Sequence, residues 1–133
     1  MAIFYQPVSF QDEIMLGESG KKISFSFSPD EISERYFQLI KGLTLEEKNK
    51  DTENAEKYGA LFVELIVLLF GEKNAQILLD FYKDDYRALI NSVIFYTGTK
   101  IAPVMREASR RRKKRIKAEK KAMRTASMRR WFH

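Results

Sequence analysis

Cysteine is absent from this chain of 133 residues, and its one histidine is the last residue, His133. Without thiols there is no disulfide framework and no thiolate metal site, and a reducing compartment is allowed. A lone terminal histidine leaves no metal-binding pair and little acid–base chemistry. Glycine is sparse too, with six residues. Gly98 in YTGTK has no Gly-rich stretch before it, which excludes a P-loop, and Gly17 and Gly20 read as parts of a tight turn. Long hydrophobic runs are also missing. The most apolar stretch, Ala60–Phe70, is about half the length of a membrane span, and Glu64 interrupts it. The opening MAIFYQPVSF has neither a charged n-region nor a long apolar h-region, so no secretory signal is expected. The expectation is a cytoplasmic protein with no membrane contact.

Carboxylates placed for catalysis are equally scarce. Asp84 and Asp85 are adjacent, which on a helix aims them about 100° apart. That suits the positive end of a helix better than an acid/base pair. Asp12 with Glu13 is no more suggestive. No catalytic, cofactor-binding or metal-binding residue is expected, no cofactor, and no enzymatic activity.

What the chain does have is charge, unevenly spread. The whole sequence carries 24 Lys/Arg against 18 Asp/Glu, a net +6. Residues 106–133 hold 13 of the basic residues and two acidic ones, or +11, which leaves residues 1–105 at −5. A mildly acidic body therefore carries a strongly basic end, and the candidate basic arm is Arg110, Arg111, Arg112, Lys113, Lys114, Arg115 and Lys117. Such segregation calls for an anionic partner: nucleic acid, an acidic protein face, or the acidic body of another copy. The alternative is a solvated tail. RRRKKRIK has the electrostatic footprint of nucleic-acid binding, yet aromatics come only at Trp131 and Phe132, and no zinc-finger, helix-turn-helix or KH signature is present. Specific readout is not expected; non-specific nucleic-acid binding through the arm is the alternative function.

Periodicity organises the rest into a mainly α chain with an N-terminal β-hairpin and a long C-terminal helix ending in the basic arm. Residues 1–108 form the helical body, residues 13–28 the hairpin, and residues 109–133 the arm. In residues 1–12, Pro7 permits at best an edge strand or an extended arm. In 22–28, Ile23, Phe25 and Phe27 alternate with Ser24, Ser26 and Ser28, which gives a strand with one wet face. Ser28-Pro29-Asp30-Glu31 predicts a helix start with a capping box, and Gly42 its end. Residues 43–57 read as a polar loop, with Thr44 and Glu47 able to cap a short helix. Residues 53–70 form a second helix that Gly71 closes, followed by a short helix capped by Asn74. From Tyr86 to Ala108 the apolar residues keep a 3.6 period across Gly98 and Pro103, which predicts one kinked, continuous helix.

The helix at 53–70 is apolar nearly all round. It is either central to the core or covered on a second side by a partner. On the second reading, the candidate partner-binding residues are Phe25, Phe27, Phe62, Val63, Ile66, Val67 and Phe70.

Over residues 13–120 the order of elements resembles the tail assembly chaperones of long-tailed (siphovirus-type) phages and prophages of Gram-positive bacteria. The likeness rests on the hairpin IMLGESGKKISFSFSPDEI leading into a helix, on YGALFVELIVLLFGEKNAQILLDFY, and on DDYRALINSVIFYTGTKIAPVMREASRRRKKRIK with its midpoint proline and charged end. It implies a non-enzymatic protein that coats the tape measure protein before tail tube subunits polymerise, helps recruit those subunits, and is absent from the mature virion. It also implies a short form of a protein often made in two lengths. Self-association of repeated copies into oligomers or helical arrays is expected, with acidic bodies meeting basic arms.

Overall fold

A computed structural model describes residues 2, 4, 8–48, 52–83 and 85–131, with the backbone alone at 52–54 and 126–131. The chain is mainly helical, with an antiparallel hairpin first and a long helix last. Strand β1 (Phe10–Leu16) pairs with β2 (Lys21–Phe27) in a register that sets Phe10 against Phe27, Asp12 against Phe25 and Ile14 against Ile23. The hairpin is thus longer at its start than residues 13–28. Gly17 and Gly20 turn it at φ +59° and +79°, a region that costs glycine little. A Cβ on Gly17 would also lie 3.2 Å from the Phe81 ring.

Helix α1 (Pro29–Glu47) starts at Ser28 with Pro29 in its first turn. The Ser28 side chain makes no capping bond, so the expected capping box does not form; the Ser28 carbonyl instead accepts from the Glu31 and Ile32 amides. Gly42 does not end this helix. A Cβ there would stand 3.1 Å from Leu61 Cδ1, so glycine serves the close crossing of α1 with the next helix. Thr44 lies inside the same helix, where its hydroxyl donates to the Ile40 carbonyl at 2.8 Å and caps nothing. The expected loop at 43–57 is correspondingly shorter; its residues 49–51 lie outside the described set.

Helix α2 (Thr52–Phe70) is the centre of the molecule and packs on α1, on β2 and on α3 (Glu72–Tyr82). Gly71, at φ +88°, makes the break between α2 and α3. Asn74 is not the cap of α3. It lies within that helix, and its side-chain amide donates to the Ser24 carbonyl at 2.8 Å and the Phe70 carbonyl at 3.0 Å, tying the hairpin to the α2–α3 corner. Asp85 caps α4 (Tyr86–Tyr96), its carboxylate accepting from the Ala88 amide at 3.2 Å; Asp84 lies outside the described residues.

The backbone then stays helical to Trp131, through a π-helical turn at Thr97–Ile101 and into α5 (Ala102–Trp131). Continuity across Gly98 and Pro103 therefore holds, and the irregularity is a widened turn. Its purpose is legible in the buried positions Leu89, Val93, Thr97, Ile101 and Met105, which recur every fourth residue. An α-helix overshoots by about 40° at each such step, and by roughly 160° over four steps. A π turn fits an extra residue into one turn and takes part of that overshoot back, so Met105 and Ala108 still face inward. Pro103 offers no N–H to the Thr99 carbonyl, while the Thr99 hydroxyl donates to the Phe95 and Tyr96 carbonyls at 2.9 and 3.2 Å.

The core is one cluster. Leu16, Ile23 and Phe25 meet Tyr36, Leu39 and Leu43 of α1, most of the inner face of α2, Ala75 and Leu78 of α3, and the stripe from Leu89 to Met105. Full burial of each aliphatic side chain contributes about 1.5–3 kcal/mol, so α2, with Leu65, Ile66 and Leu69 all enclosed, anchors the fold.

Candidate interaction surfaces

Among the described residues, polar groups with shifted titration come together beneath the hairpin. Alternation along β1 turns Asp12 to the same side as Phe10 and Ile14. There the Tyr96 hydroxyl donates to Asp12 Oδ2 at 2.6 Å. That bond, aided by the Glu13 amide at 2.8 Å, holds the Asp12 carboxyl below its usual value. Burial, and secondarily the Asp12 carboxylate, push the Tyr96 phenol far up. A tyrosine held neutral and a carboxylate held ionised, both committed to each other, make a structural clasp between β1 and α4. A polar cleft of about 650 Å³ lies beside them, lined by Gln11, Asp12, Glu13, Ser24, Ser26 and Asn74 together with Phe25 and Phe70. Among the described residues no cluster of His, Cys, Asp or Glu is arranged to hold a metal ion. No helix among them is long and apolar enough to cross a membrane.

The apolar residues singled out in the sequence lie mostly inside. Phe25, Phe62, Ile66 and Phe70 are buried, and Phe27 and Val67 are half-buried against the same cluster. Val63 alone of the set is exposed. The Phe25 ring packs edge-on against Phe70 at 4.8 Å, and Phe10 stacks on Phe27 at 5.0 Å. As free surface, then, the set is corrected: the chain's own α1, α3 and hairpin surround α2 and take up its second apolar side.

Exposed apolar area sits elsewhere. On α4, Tyr86, Ile90 and Ile94 follow at intervals of four; Tyr86 and Ile94 are exposed, and Phe95 beside them is 74% accessible. Sequence reading missed this face because Tyr86 and Ile94 fit the same period as Leu89 and Val93. The signal that could have found it is width: a stripe spanning all these positions is broader than one neighbour can cover.

The basic arm divides in two. At its root it is latched to the body: Arg111 reaches Asp30 at 3.1 Å and Arg112 reaches Glu34 at 2.7 Å, both on the first turns of α1. The acid–base complementarity expected between copies is thus partly used within one chain. Arg110 pairs locally with Glu107. Lys113, Lys114, Arg115 and Lys117 are exposed, as are Lys120, Lys121 and Arg124 beyond them. Helical spacing sets Lys113, Lys117, Lys120 and Arg124 on one face.

Where arm and body part, α1 and α5 leave a cleft of about 480 Å³ between them. Phe37 and Ile116, 36% and 42% accessible, form its apolar walls, and Glu34, Lys41, Arg112 and Lys113 stand at its edges.

Comparison of the chain with protein-family models, with curated proteins and with solved structures gives no match in any of the three.

Proposed function

We propose that this protein works by binding other proteins, as a phage tail assembly chaperone that coats the tape measure protein and helps bring tail tube subunits to it. The observation that carries the reading is the outer face of α4. The core is closed around α2, yet Tyr86, Ile94 and Phe95 remain outside on a helix whose inner face, Leu89 and Val93, is buried in that core. A group of large apolar residues exposed close together on one helix face is the kind of patch that marks a protein contact. The sequence resemblance supplies the client's identity, and the host cytoplasm is where such a client is met. Repeated copies along a tape measure helix would stack, with the exposed cations from Lys113 to Arg124 facing acidic bodies.

Co-expression with a tape measure fragment tests this. The expected result is a complex recovered by affinity pull-down and weakened by Phe95→Ser. Absence of a complex with every fragment of the tape measure protein would sink the reading. For the stacking, sedimentation should show association that fades with added salt and with removal of residues 117–133. That truncation spares the Arg111–Asp30 and Arg112–Glu34 latch, so it separates assembly from folding.

A second reading rests on four of these cations, Lys113, Lys117, Lys120 and Arg124, which lie along one face of a continuous helix and could follow a phosphate backbone without reading bases. Affinity for arbitrary duplex DNA at physiological salt, lost on the same truncation, would favour it.

A further inference from the structure

We infer that the cleft between α1 and α5 is a docking site for an amphipathic α-helix of a partner protein, one that carries carboxylates on both flanks of its apolar stripe. Three features define this occupant. The first is the wall. Phe37 and Ile116 face the cleft from opposite helices and are each more than a third exposed, so an apolar strip lies ready between them. The second is the backbone. Residues 33–41 lie inside α1 and residues 109–116 inside α5, where main-chain groups are already bonded within their helices. No sheet edge is offered, so an extended peptide would leave its own N–H and C=O groups unpaired against apolar walls. A helix satisfies them itself and brings only side chains.

The third is charge. Glu34 is taken by Arg112 at 2.7 Å. Lys41 on the α1 rim and Lys113 on the α5 rim have no carboxylate in ion-pair range among the described residues. The cleft thus has apolar walls and, at its edges, two uncancelled cations, one on each helix. Its complement is a hydrophobic ridge flanked by Asp or Glu. This goes beyond the tape-measure reading, because it holds for any protein that supplies such a helix, and it concerns a surface other than the α4 face.

The test uses the full chain and a fluorescent designed helix of about five turns, roughly 18 residues, with Leu at i, i+3, i+4 and i+7 and Glu on both flanks. Anisotropy at physiological salt should show binding. Replacing its Leu by Ser should weaken binding about tenfold or more, which separates docking from simple attraction to the arm. Replacing its flanking Glu by Lys should do the same. On the protein, Phe37→Ser and Ile116→Ser should each lower affinity several-fold, and both positions are exposed enough for the fold to tolerate the change. The double reversal Lys41→Glu with Lys113→Glu should exchange the preference, so that the Lys-flanked helix binds better. The proposal is overturned if the Glu-flanked helix fails to bind, if the Ser-faced helix binds equally well, or if flank preference survives the reversal. A duplex DNA that binds more tightly than the helix and is indifferent to Phe37→Ser would give the cleft's charge to nucleic acid and overturn it as well. Failure here leaves the pull-down of a tape measure fragment unaffected, so the two readings fall separately.

Discussion

Between residues 62 and 70, α2 buries Phe62, Leu65, Ile66, Leu69 and Phe70; between residues 112 and 125, α5 buries no side chain at all. Both are long helices, yet different things keep them helical. α2 is enclosed by α1, α3 and β2, so its conformation is fixed by packing. The outer part of α5 has no such cover. It inherits its helix from residues 101–108, whose Ile101, Met105 and Ala108 are held in the core. The costly nucleation step is thus met inside the body, and propagation outward through Lys, Arg, Ala, Glu and Met adds residues of good helix propensity. Enclosure makes α2 a source of stability. Lack of enclosure makes α5 a source of surface.

The sharpest way to break this contrast is within α2 itself. Ile66→Ala removes a fully buried side chain at the centre of the cluster and should cost about 2–5 kcal/mol. Val63→Ala, three residues away but exposed, should cost less than about 1 kcal/mol. Urea unfolding followed by circular dichroism measures both. Equal losses at the two positions would mean that α2 is not enclosed on the Ile66 side.

A smaller effect is expected where the hairpin is tied to α4. Tyr96→Phe removes the 2.6 Å bond to Asp12, a charge-assisted link that is partly solvated, and should cost about 1 kcal/mol near neutral pH. Its pH dependence follows from the depressed Asp12 carboxyl. The stabilisation is present above the unfolded value of about 3.9 and is lost as pH falls through the lower folded value. The gap between wild type and variant should therefore narrow below about pH 4. At the alkaline end the raised Tyr96 phenol favours the folded state until pH climbs past about 10, and that contribution too is missing from the variant. A gap that stays constant from neutral to acid pH would remove Asp12 from the account.

Much of this could be read from residues alone, and the misses have physical causes. The alternation of Ile23, Phe25 and Phe27 with serines gave the inward face of β2. The partner strand is harder, because Asp12 occupies an inward position among Phe10, Ile14 and Leu16 and breaks the apolar pattern; the Tyr96 hydroxyl, far along the chain, and secondarily the Glu13 amide make that position tolerable. Gly42 looked like a helix end because glycine ends helices, whereas the close approach of Leu61 requires it within one. The apolar set on α2 leaves two readings open, a central helix or one covered by a partner. Sequence does not say how many neighbours return to cover it, so Phe62, Ile66 and Phe70 could not be told from a partner surface. The α1–α5 cleft is hidden from sequence for the same reason: Phe37 and Ile116 line one cleft because α5 packs along α1, through buried Met105 and Ala108 and the pairs of Arg111 and Arg112 with Asp30 and Glu34.

That latch should be worth less than the clasp. Arg111 and Asp30 are each about a quarter accessible, so Arg111→Ala is expected to cost roughly 0.5–1 kcal/mol, including the loss of a cation beside an acidic helix start. Part of this should disappear in high salt, which thermal melts at two ionic strengths would show.

The least effect belongs to the outer arm. Removing residues 117–133 takes away no buried side chain and no ion pair to the body among the described residues. Global stability should change by less than about 0.5 kcal/mol, while the far-ultraviolet signal loses the helix these residues contribute. The pairing of outcomes matters more than either one. If α5 were held by contacts along its whole length, stability and helix content would fall together. If residues 102–116 alone anchor it, the midpoint of unfolding stays put while the helical amplitude drops. A truncated chain that melts several degrees lower would show that the exposed cations help hold the body together, and the division between enclosed and outgoing helix would have to be drawn further along the chain.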